Sequence, residues 1–320
     1  MIVELQETSS SKIMTALLNA RRSVGSPALS MVLTLVIVVG GSSRPDDPEQ
    51  SDGHADAMNA ALRAAKEHPS RIIGVVLHDE NATPRLDAEI SIGEGVPGES
   101  VLLRMHGELT AHAESVVTPL LLPESPVVVW WPGKAPESMS TSPIGRLATR
   151  RIADAAAEPD PRAAVARRCG SYSPGDTDLT WTRTTTWRAL LAAALDQSTS
   201  KVTGVVVQAE QGTASAELIA AWLSKRLRVQ ARVTASDGPG ITAVRLATKQ
   251  GEIAITRPTG VLARYEIPGQ PERTVALKRR DVSELLAEEL RHLDPDEVFA
   301  ETAKELLDRS SGHEHEKESL

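Results

Sequence analysis

The apolar positions of the first 139 residues repeat with two periods, one typical of strands and one typical of helices. A β-branched run at 31–40 is followed by a polar loop, 42–53, a helical pattern at 54–67 and a second apolar run at 71–79. Two buried strands joined by a helix are the pattern of a βαβ unit. Further strands are predicted at 85–93, 99–107 and 126–131, and helices at 10–24 and 108–118. The pattern therefore predicts an α/β domain with a mixed sheet over residues 1–139.

The second half of the chain begins with another α/β pattern and then changes to short strands. Residues 140–169 are rich in alanine and arginine and are predicted to form a helical linker. Residues 170–309 are predicted to form a second α/β domain, and the polar residues 310–320 a disordered tail. In this domain we predict helices at 179–196 and 213–228, strands at 201–208, 229–235 and 273–278, and a three-stranded antiparallel meander in 241–267.

Two helices are predicted to end the second domain, because two cap patterns mark their starts. Asp281 and Glu284 have the spacing of a capping box. Asp294, Pro295 and Glu297 place a cap, a first-turn proline and an acidic residue in order. The fold class predicted for the whole chain is therefore α/β, with mixed sheets in both domains, a C-terminal meander and two terminal helices.

The chain has few aromatic residues and a negative net charge, and both features bear on what it can bind. The chain has 320 residues, enough for two domains, and only five tryptophans, two tyrosines and one phenylalanine. Four of the tryptophans lie between residues 130 and 187, so the aromatic side chains are concentrated in one stretch. The formal net charge of −8 argues against a nucleic-acid binder, which needs a basic surface.

The printed sequence carries no pattern of a membrane or secreted protein. The longest apolar run, 28–41, is shorter than the roughly 20 apolar residues that span a bilayer. Residues 1–10 are acidic and polar where a signal peptide is basic and then apolar. The single cysteine, Cys169, cannot form an intrachain disulfide. We therefore expect a cytoplasmic protein with neither a membrane nor a nucleic acid as partner.

Three common catalytic and metal-site motifs are missing from the sequence, which has no H-E-x-x-H, C-x-x-C or G-x-S-x-G. GGSSRP at 40–45 follows a strand, as phosphate loops do, but its spacing favours an ordinary turn. HEHE at 313–316 lies in the predicted tail, which argues against a metal site. His78 with Asp79 is more typical of a solvated strand end than of an acid–base pair. Cys169 lies beside two arginines in the sequence, but we interpret it as an ordinary thiol. We therefore predict no catalytic residue, no metal site and no cofactor.

Two segments carry the stronger signals, and both indicate binding. In PVVVWWPG, proline and glycine follow Trp130 and Trp131, so at least one indole is predicted to lie near the surface, where tryptophan is enriched at interfaces. The residues that follow include Arg146, Arg150 and Arg151, and the first two of these would share one face of the predicted helix. Such a pair suits a carboxylate or a sugar phosphate.

The second segment, YSPGDTDLTWTRTTTWR at 172–188, brings stacking groups, acids and guanidinium groups into one short stretch. Its candidate partner- or ligand-binding residues are Tyr172, Asp176, Asp178, Trp181, Arg183, Trp187 and Arg188. The alternative is that Trp131 and Trp187 are core residues and that the arginines lie on a solvated face. For any single residue both interpretations stay open, whereas for the two segments together we favour binding.

Five stretches of the sequence together match the pattern of a known family. They are PVVVWWPG (126–133), PIGRLATRRIAD (143–154), YSPGDTDLTWTR (172–183), TWRALLAAALDQ (186–197) and LAEELRHLDPDEVFAETA (286–303). The chain resembles the glucose-6-phosphate dehydrogenase assembly proteins, the OpcA family, from about its first helix to Ala303. So long and ordered a resemblance is more specific than a single short motif.

The resemblance implies two α/β parts and an accessory, non-enzymatic role. Members of this family bind glucose-6-phosphate dehydrogenase, promote its oligomeric assembly and raise its activity in the oxidative pentose phosphate pathway, which makes NADPH. The resemblance therefore implies that this dehydrogenase is the partner and that the chain is an allosteric activator. It brings no catalytic residues, and it makes the two binding segments candidate interface or ligand sites.

A second hypothesis is a sugar-phosphate-binding enzyme or sensor, such as a lactonase-like α/β protein. Asp176, Arg183, Arg188 and the loop at 40–45 would form its site. A sugar phosphate would then be the ligand.

Overall fold

The computed structural model describes residues 1–24, 31–40, 48–93 and 98–318, with 48–52 and 311–318 described by their backbone alone. All of GGSSRP except its first glycine lies outside the described residues, as do the start of the polar loop and the HEHE side chains. The chain divides into two compact units. Unit 1 comprises Met1–Asp154, Gly175–Thr177 and Val282–Pro295, and unit 2 comprises Ala155–Pro174, Asp178–Asp281 and Asp296–Leu320.

The bounds of the regular elements are as follows. The strands are β1 (Ile2–Leu5), β2 (Leu33–Gly40), β3 (Ser70–Leu77), β4 (Arg85–Ile92), β5 (Gly98–His106), β6 (Val127–Trp130), β7 (Arg150–Ala153), β8 (Asp176–Asp178), β9 (Val202–Ala209), β10 (Ala231–Ala235), β11 (Ile241–Thr248), β12 (Gly251–Thr256), β13 (Leu262–Glu266) and β14 (Arg273–Ala276). The helices are α1 (Ser10–Val24), α2 (Pro48–Ala64), α3 (Ala113–Val117), α4 (Pro161–Gly170), α5 (Leu179–Thr182), α6 (Thr185–Asp196), α7 (Ala214–Leu227), α8 (Val282–Arg291) and α9 (Glu297–Glu318). Short 3-10 turns lie at Gly107–His112, Thr118–Leu120, Gly145–Leu147 and Ala155–Ala157.

Unit 1 is built on a mixed sheet with the strand order β1-β4-β5-β3-β2-β6-β7-β8. β5, β3, β2, β6 and β7 are parallel, whereas β4 pairs antiparallel with both β1 and β5. β2 and β3 are almost continuous runs of Val, Ile and Leu, as expected for parallel strands that are covered on both faces. Ile13 and Leu17 of α1 belong to the core that includes Val36 and Val75, while α2 packs against β2 and β3.

Helix α8 belongs to unit 1 although it comes from the C-terminal end of the chain. It packs against α2, where Arg63 Nε donates to Ser283 Oγ at 3.3 Å. Arg291 Nη2 at its end lies 2.5 Å from Glu67 Oε2. Segments about 220 positions apart in the sequence therefore complete unit 1 together.

Unit 2 is built on a sheet with the order β10-β9-β11-β12-β13-β14. β9, α7 and β10 form a βαβ unit with parallel strands, and β11 to β14 form an antiparallel meander. One core lies between this sheet and helices α6 and α7, and includes Trp187, Leu191 and Ile219. A second core joins α4, α5, α7 and α9 around Trp181 and Phe299.

The predicted fold class is confirmed, with α/β units, mixed sheets, the C-terminal meander and the terminal helices. The predicted helical linker at 140–169 is confirmed only in its last part, where Pro161–Gly170 form α4, and it is wrong for residues 140–160. A 3-10 turn covers Gly145–Leu147, and Arg150–Ala153 form β7, a buried strand parallel to β6. In the alternative interpretation, the arginines of this segment lay on a solvated face, and Arg150 and Arg151 do not. They are accommodated in a buried strand because each one meets a carboxylate.

Other boundaries differ for local reasons. The predicted helix at 179–196 is two helices, α5 and α6, and the threonine-rich link bends where Thr184 Oγ1 donates to the carbonyl of Trp181 at 2.6 Å. The cap of α9 is Asp296, not Asp294, since Asp296 Oδ1 accepts from Phe299 N at 2.9 Å. α9 runs to Glu318, past the predicted start of the tail, through a segment that has Glu and Lys but no proline. The domain limits 1–139, 140–169, 170–309 and 310–320 stay predictions.

Among the residues that the structure describes, no helix combines the length and the apolar character that crossing a membrane requires.

Candidate functional site

The tryptophans of both segments are buried. Trp130 and Trp131 are 1% and 4% exposed, and Trp181 and Trp187 are 1% and 2% exposed. The prediction that one indole of the pair lies near the surface is wrong, because β6 lies between β2 and β7 and Trp131 N continues its pairing to the carbonyl of Ile152 at 2.9 Å. As the alternative interpretation had it for Trp131 and Trp187, these side chains are core residues.

The arginines of the first segment separate into one exposed and two buried side chains. Arg146 is exposed, and its Nη1 donates to the carbonyl of Thr141 at 2.8 Å. Arg150 Nη2 lies 2.5 Å from Glu289 Oε2, and Arg151 Nε lies 2.5 Å from Asp176 Oδ1. The predicted helical pair of Arg146 and Arg150 is therefore wrong. The two buried guanidinium groups are engaged by carboxylates inside unit 1.

The second segment builds a hydrogen-bonded node in unit 2. Asp178 caps α5 by accepting from Thr180 N at 2.7 Å, and it also accepts from Ala155 N. Trp181 Nε1 donates to Asp296 Oδ2 at 2.8 Å, and the Arg188 guanidinium lies 3.7 Å from the centroid of the Trp181 ring. This node joins the starts of α5 and α9.

The other members of that segment lie elsewhere. Asp176 belongs to unit 1 through its ion pair with Arg151, and Tyr172 packs edge-on against Phe299 at 5.8 Å between ring centroids. Arg183 and Trp187 line a cavity in unit 2. The seven residues therefore do not form one site, and Asp176 is not placed with Arg183 and Arg188 in the same unit.

That cavity, here called the basic cavity, has a volume of about 280 Å³ and is formed within unit 2 alone. It lies at the N-terminus of α7, next to the connection from β9 at 210–213. One carboxylate, Glu210, lines it together with five cations: Arg183, Arg257, Lys278, Arg279 and Arg280. Burial, and then the charge of Arg279, lowers the pKa of Arg257 to about 10. This part of unit 2 can hold an anion in spite of the negative charge of the whole chain.

A second cavity, here called the apolar cavity, lies in unit 1 and has a volume of about 230 Å³. It is formed at the C-terminal ends of β2, β3 and β6, where crevices form in open parallel sheets. Its apolar lining includes Val38, Leu77, Trp131, Pro143 and Ile144. The polar side chains of Thr110, Glu114, Lys134 and Ser142 also line it.

His78 and Asp79 each contact another side chain or backbone group, and Cys169 is buried. His78 stacks on His106 with 4.3 Å between ring centroids, and Asp79 Oδ1 accepts from Asn81 N. Burial, and then the charge of Asp178, raises the pKa of Cys169 to about 12, which disfavours the reactive thiolate. Within the described ranges, no group of three or more His, Cys, Asp and Glu side chains is placed to hold a metal ion.

Sequence reasoning missed most of the basic cavity. Arg183 and Trp187 were candidates, but Arg257, Lys278, Arg279 and Arg280 were not. Two signals were present: the basic run ALKRRD at 276–281 and the glycine-containing strand-to-helix turn AEQGTAS at 209–215. Neither is specific alone, and only the fold brings them together.

Comparison with solved structures gives distant likenesses to oxidoreductases. A 3-ketoreductase from Actinomadura kijaniata is 11% identical with a TM-score of 0.45, covering 86% of this chain and 95% of that one. A dehydrogenase from Clostridium difficile is 7% identical with a TM-score of 0.42, covering 88% and 99%. An oxidoreductase from Sinorhizobium meliloti is 10% identical with a TM-score of 0.40, covering 85% and 86%. At these scores they assign neither a fold nor an activity to this chain.

No curated protein matches the chain. Two family models do, and they follow one another along the sequence. Residues 61–170 match the N-terminal domain of the glucose-6-phosphate dehydrogenase subunit, and residues 174–303 match the C-terminal domain of the same family. Together they cover most of the chain and include both tryptophan segments. The chain therefore belongs to the OpcA family of glucose-6-phosphate dehydrogenase assembly proteins.

Proposed function

We propose that the protein is a non-catalytic partner of glucose-6-phosphate dehydrogenase that binds the enzyme, promotes its oligomeric assembly and raises its activity. The observation that carries this proposal is the ordered match of the two family domains over residues 61–170 and 174–303. The protein would act in the cytoplasm, in the oxidative pentose phosphate pathway, and would increase the supply of NADPH. Neither a nucleic acid nor a membrane is proposed as a partner.

Activation by a partner requires a difference in affinity. The protein shifts the dehydrogenase towards its active oligomer only if it binds that form more tightly than the inactive one. A coupling free energy of about 1–3 kcal/mol, which is typical of allosteric proteins, corresponds to a change of roughly 5- to 150-fold. Saturating amounts of the protein are therefore expected to raise the activity of a poorly assembled enzyme and to have little effect on a fully assembled one.

We assign the dehydrogenase contact to the apolar cavity of unit 1. Interface hot spots are enriched in tryptophan and in pockets that exclude water. Trp131 supplies such a lining while it remains 4% exposed, and the exposed residues Ala111, Lys134 and Pro143 also line the cavity. In this proposal Trp131 forms part of the pocket wall. An apolar side chain of the dehydrogenase inserts into the pocket.

The assignment is tested with Ala111→Glu and His112→Glu, measured by activation of the purified dehydrogenase. Ala111 is exposed and lines the apolar cavity, so a carboxylate there opposes burial of an apolar group. His112 is exposed on the same 3-10 turn but does not line the cavity, so its variant is the matched control. We expect Ala111→Glu to raise the concentration for half-maximal activation about tenfold, or ~1.4 kcal/mol. Equal activation by the two variants would refute the contact assignment.

The alternative of a sugar-phosphate enzyme or sensor is only partly supported. Asp176 is engaged by Arg151 in unit 1, and the loop 41–45 lies outside the described residues. Arg183, however, lines the basic cavity, which favours anion binding by unit 2.

A further inference from the structure

Among the described residues, the basic cavity contains a buried arginine without the carboxylate partner that the other buried arginines have. Five arginines are buried among the described residues, and four of them meet a carboxylate: Arg71 with Glu99, Arg150 with Glu289, Arg151 with Asp176 and Arg168 with Glu158. The fifth, Arg257, is 5% exposed, and among the described residues its Nη1 and Nη2 donate to two carbonyls, those of Leu277 and Ile241, at 2.9 Å each. A buried charge without a carboxylate is costly, so an anion is the expected complement.

Two buried polar atoms in this cavity have no hydrogen-bond partner in the part of the chain that the structure describes. Arg257 Nε is buried without a hydrogen-bond acceptor among the described residues. Thr180, which is fully buried and lines the same cavity, has a hydroxyl group without a partner there. Buried polar groups are normally hydrogen-bonded, so two unpartnered atoms in one cavity indicate a missing ligand.

The backbone around the cavity suits an anion as well. α7 is 14 residues long, and Thr213, which precedes it, does not cap it with its side chain. Gly212 has a φ of +84°, and a Cβ there would meet nothing within 4 Å. A glycine turn leading to the N-terminus of a helix is the geometry that proteins use for phosphate.

The charged side chains around the opening of the cavity also favour an anionic ligand. Arg279 and Lys278 are exposed, and Arg280 Nη2 donates to the carbonyl of Thr182. The opposing carboxylate, Glu210, accepts from Gly240 N at 3.0 Å. The volume of about 280 Å³ lies just below the range of about 300–1,000 Å³ typical of small-molecule sites, so a dinucleotide is too large.

We propose that the basic cavity binds the phosphate group of a small phosphate monoester. The phosphate accepts from Arg257 Nε, from the hydroxyl group of Thr180 and from N–H groups of the first turn of α7, while Arg279 lies at the opening. The site belongs to unit 2 of this chain and does not depend on the proposed partner. It would make the protein a sensor of a phosphorylated metabolite in addition to its proposed accessory role.

The test is calorimetric titration of the full chain without the dehydrogenase, so its result is separate from that of the activation assay. The probes are glucose 6-phosphate, glucose and inorganic phosphate. We expect glucose 6-phosphate to bind, glucose not to bind, and inorganic phosphate to compete for the site with lower affinity. If inorganic phosphate binds as tightly as glucose 6-phosphate, the ligand is the free ion and the proposal of a monoester is overturned. If neither of them binds, the proposal is overturned as well.

Two variants locate the site. Arg279→Glu reverses an exposed charge at the opening, and Arg264→Glu reverses a charge on β13 that is 63% exposed and does not line the cavity. We expect the first to weaken glucose 6-phosphate binding more than tenfold and the control less than twofold. Thr180→Val removes only an unpartnered hydroxyl, so it is expected to keep the melting temperature and weaken binding. Equal affinity of wild type, Arg279→Glu and Thr180→Val would overturn the proposal.

Discussion

Arg150 Nη2 lies 2.5 Å from Glu289 Oε2, and this buried ion pair joins β7 to α8 across 139 positions of the sequence. Arg150 Nη1 also donates to the carbonyl of Asp294 at 2.8 Å, just beyond the end of α8. One guanidinium group therefore contacts both β7, the strand found where a helix was predicted, and α8, which belongs to unit 1 although it lies late in the sequence.

This pair predicts a large loss of stability when one partner is removed. Glu289→Ala leaves the buried Arg150 cation without its carboxylate, and we expect the free energy of unfolding to fall by about 3–5 kcal/mol. Urea denaturation followed by circular dichroism measures it. Glu67→Ala is the control, because its pair with Arg291 also joins α8 to unit 1 but is more than half exposed on both sides and is expected to change the midpoint little. Equal shifts in both variants would contradict the dominant role of the buried pair.

Asp296 has two functions that predict a second loss of stability. Its Oδ1 caps α9 at Phe299 N, and its Oδ2 accepts from the buried indole of Trp181. Asp296→Ala removes a cap worth about 1 kcal/mol and leaves a buried donor unpaired at about 1–3 kcal/mol, so a loss of roughly 2–4 kcal/mol is expected in thermal unfolding. Asp294, which the sequence favoured as the cap, is exposed, and Asp294→Ala should be almost neutral. A larger loss of stability in Asp294→Ala than in Asp296→Ala would instead support Asp294 as the cap, as the sequence predicted.

These two aspartates illustrate how far sequence reasoning reaches. The strand candidates of unit 1, the βαβ order around α7 and the meander follow from apolar periodicity, and they agree with the structure because those segments bury one pattern of side chains throughout. The burial of Arg150 and Arg151 could not be predicted from periodicity, since these side chains pair with Glu289 and Asp176, two carboxylates that are distant in the sequence. The basic cavity could not be predicted for the same reason, because only the fold brings Arg257 and Arg279 to the turn before α7.

The stacked histidines predict how stability depends on pH. Burial first, and then the charge of His106, holds the pKa of His78 below its ordinary value of 6.5, and burial followed by Arg85 lowers the pKa of His106. A lowered pKa means that the unfolded chain binds a proton more readily. Their contribution is therefore complete above the ordinary value and is lost as the pH falls below it.

Thermal unfolding between about pH 7.5 and about pH 5 checks this dependence. We expect the melting temperature to fall towards the acidic end and to fall less in His78→Gln. His112→Gln, at an exposed position, should keep the slope of the wild type. A slope unchanged by His78→Gln would mean that other groups control the acid response.

The buried thiol predicts a slow chemical modification. Because the pKa of Cys169 is raised to about 12, its thiolate is scarce in the folded protein at neutral pH. Iodoacetamide at about pH 8 should leave Cys169 unmodified in the native protein and alkylate it in urea, as mass spectrometry can show. Rapid alkylation without denaturant would contradict the burial of this residue.

The central claim is that this protein assembles and activates glucose-6-phosphate dehydrogenase. The most direct test is light scattering coupled to gel filtration of the purified enzyme from the same organism, alone and with this protein, with activity measured on the same fractions. We predict a heavier complex that contains both proteins and has a higher activity per molecule of dehydrogenase. An enzyme whose mass and activity do not change in the presence of this protein would contradict the claim.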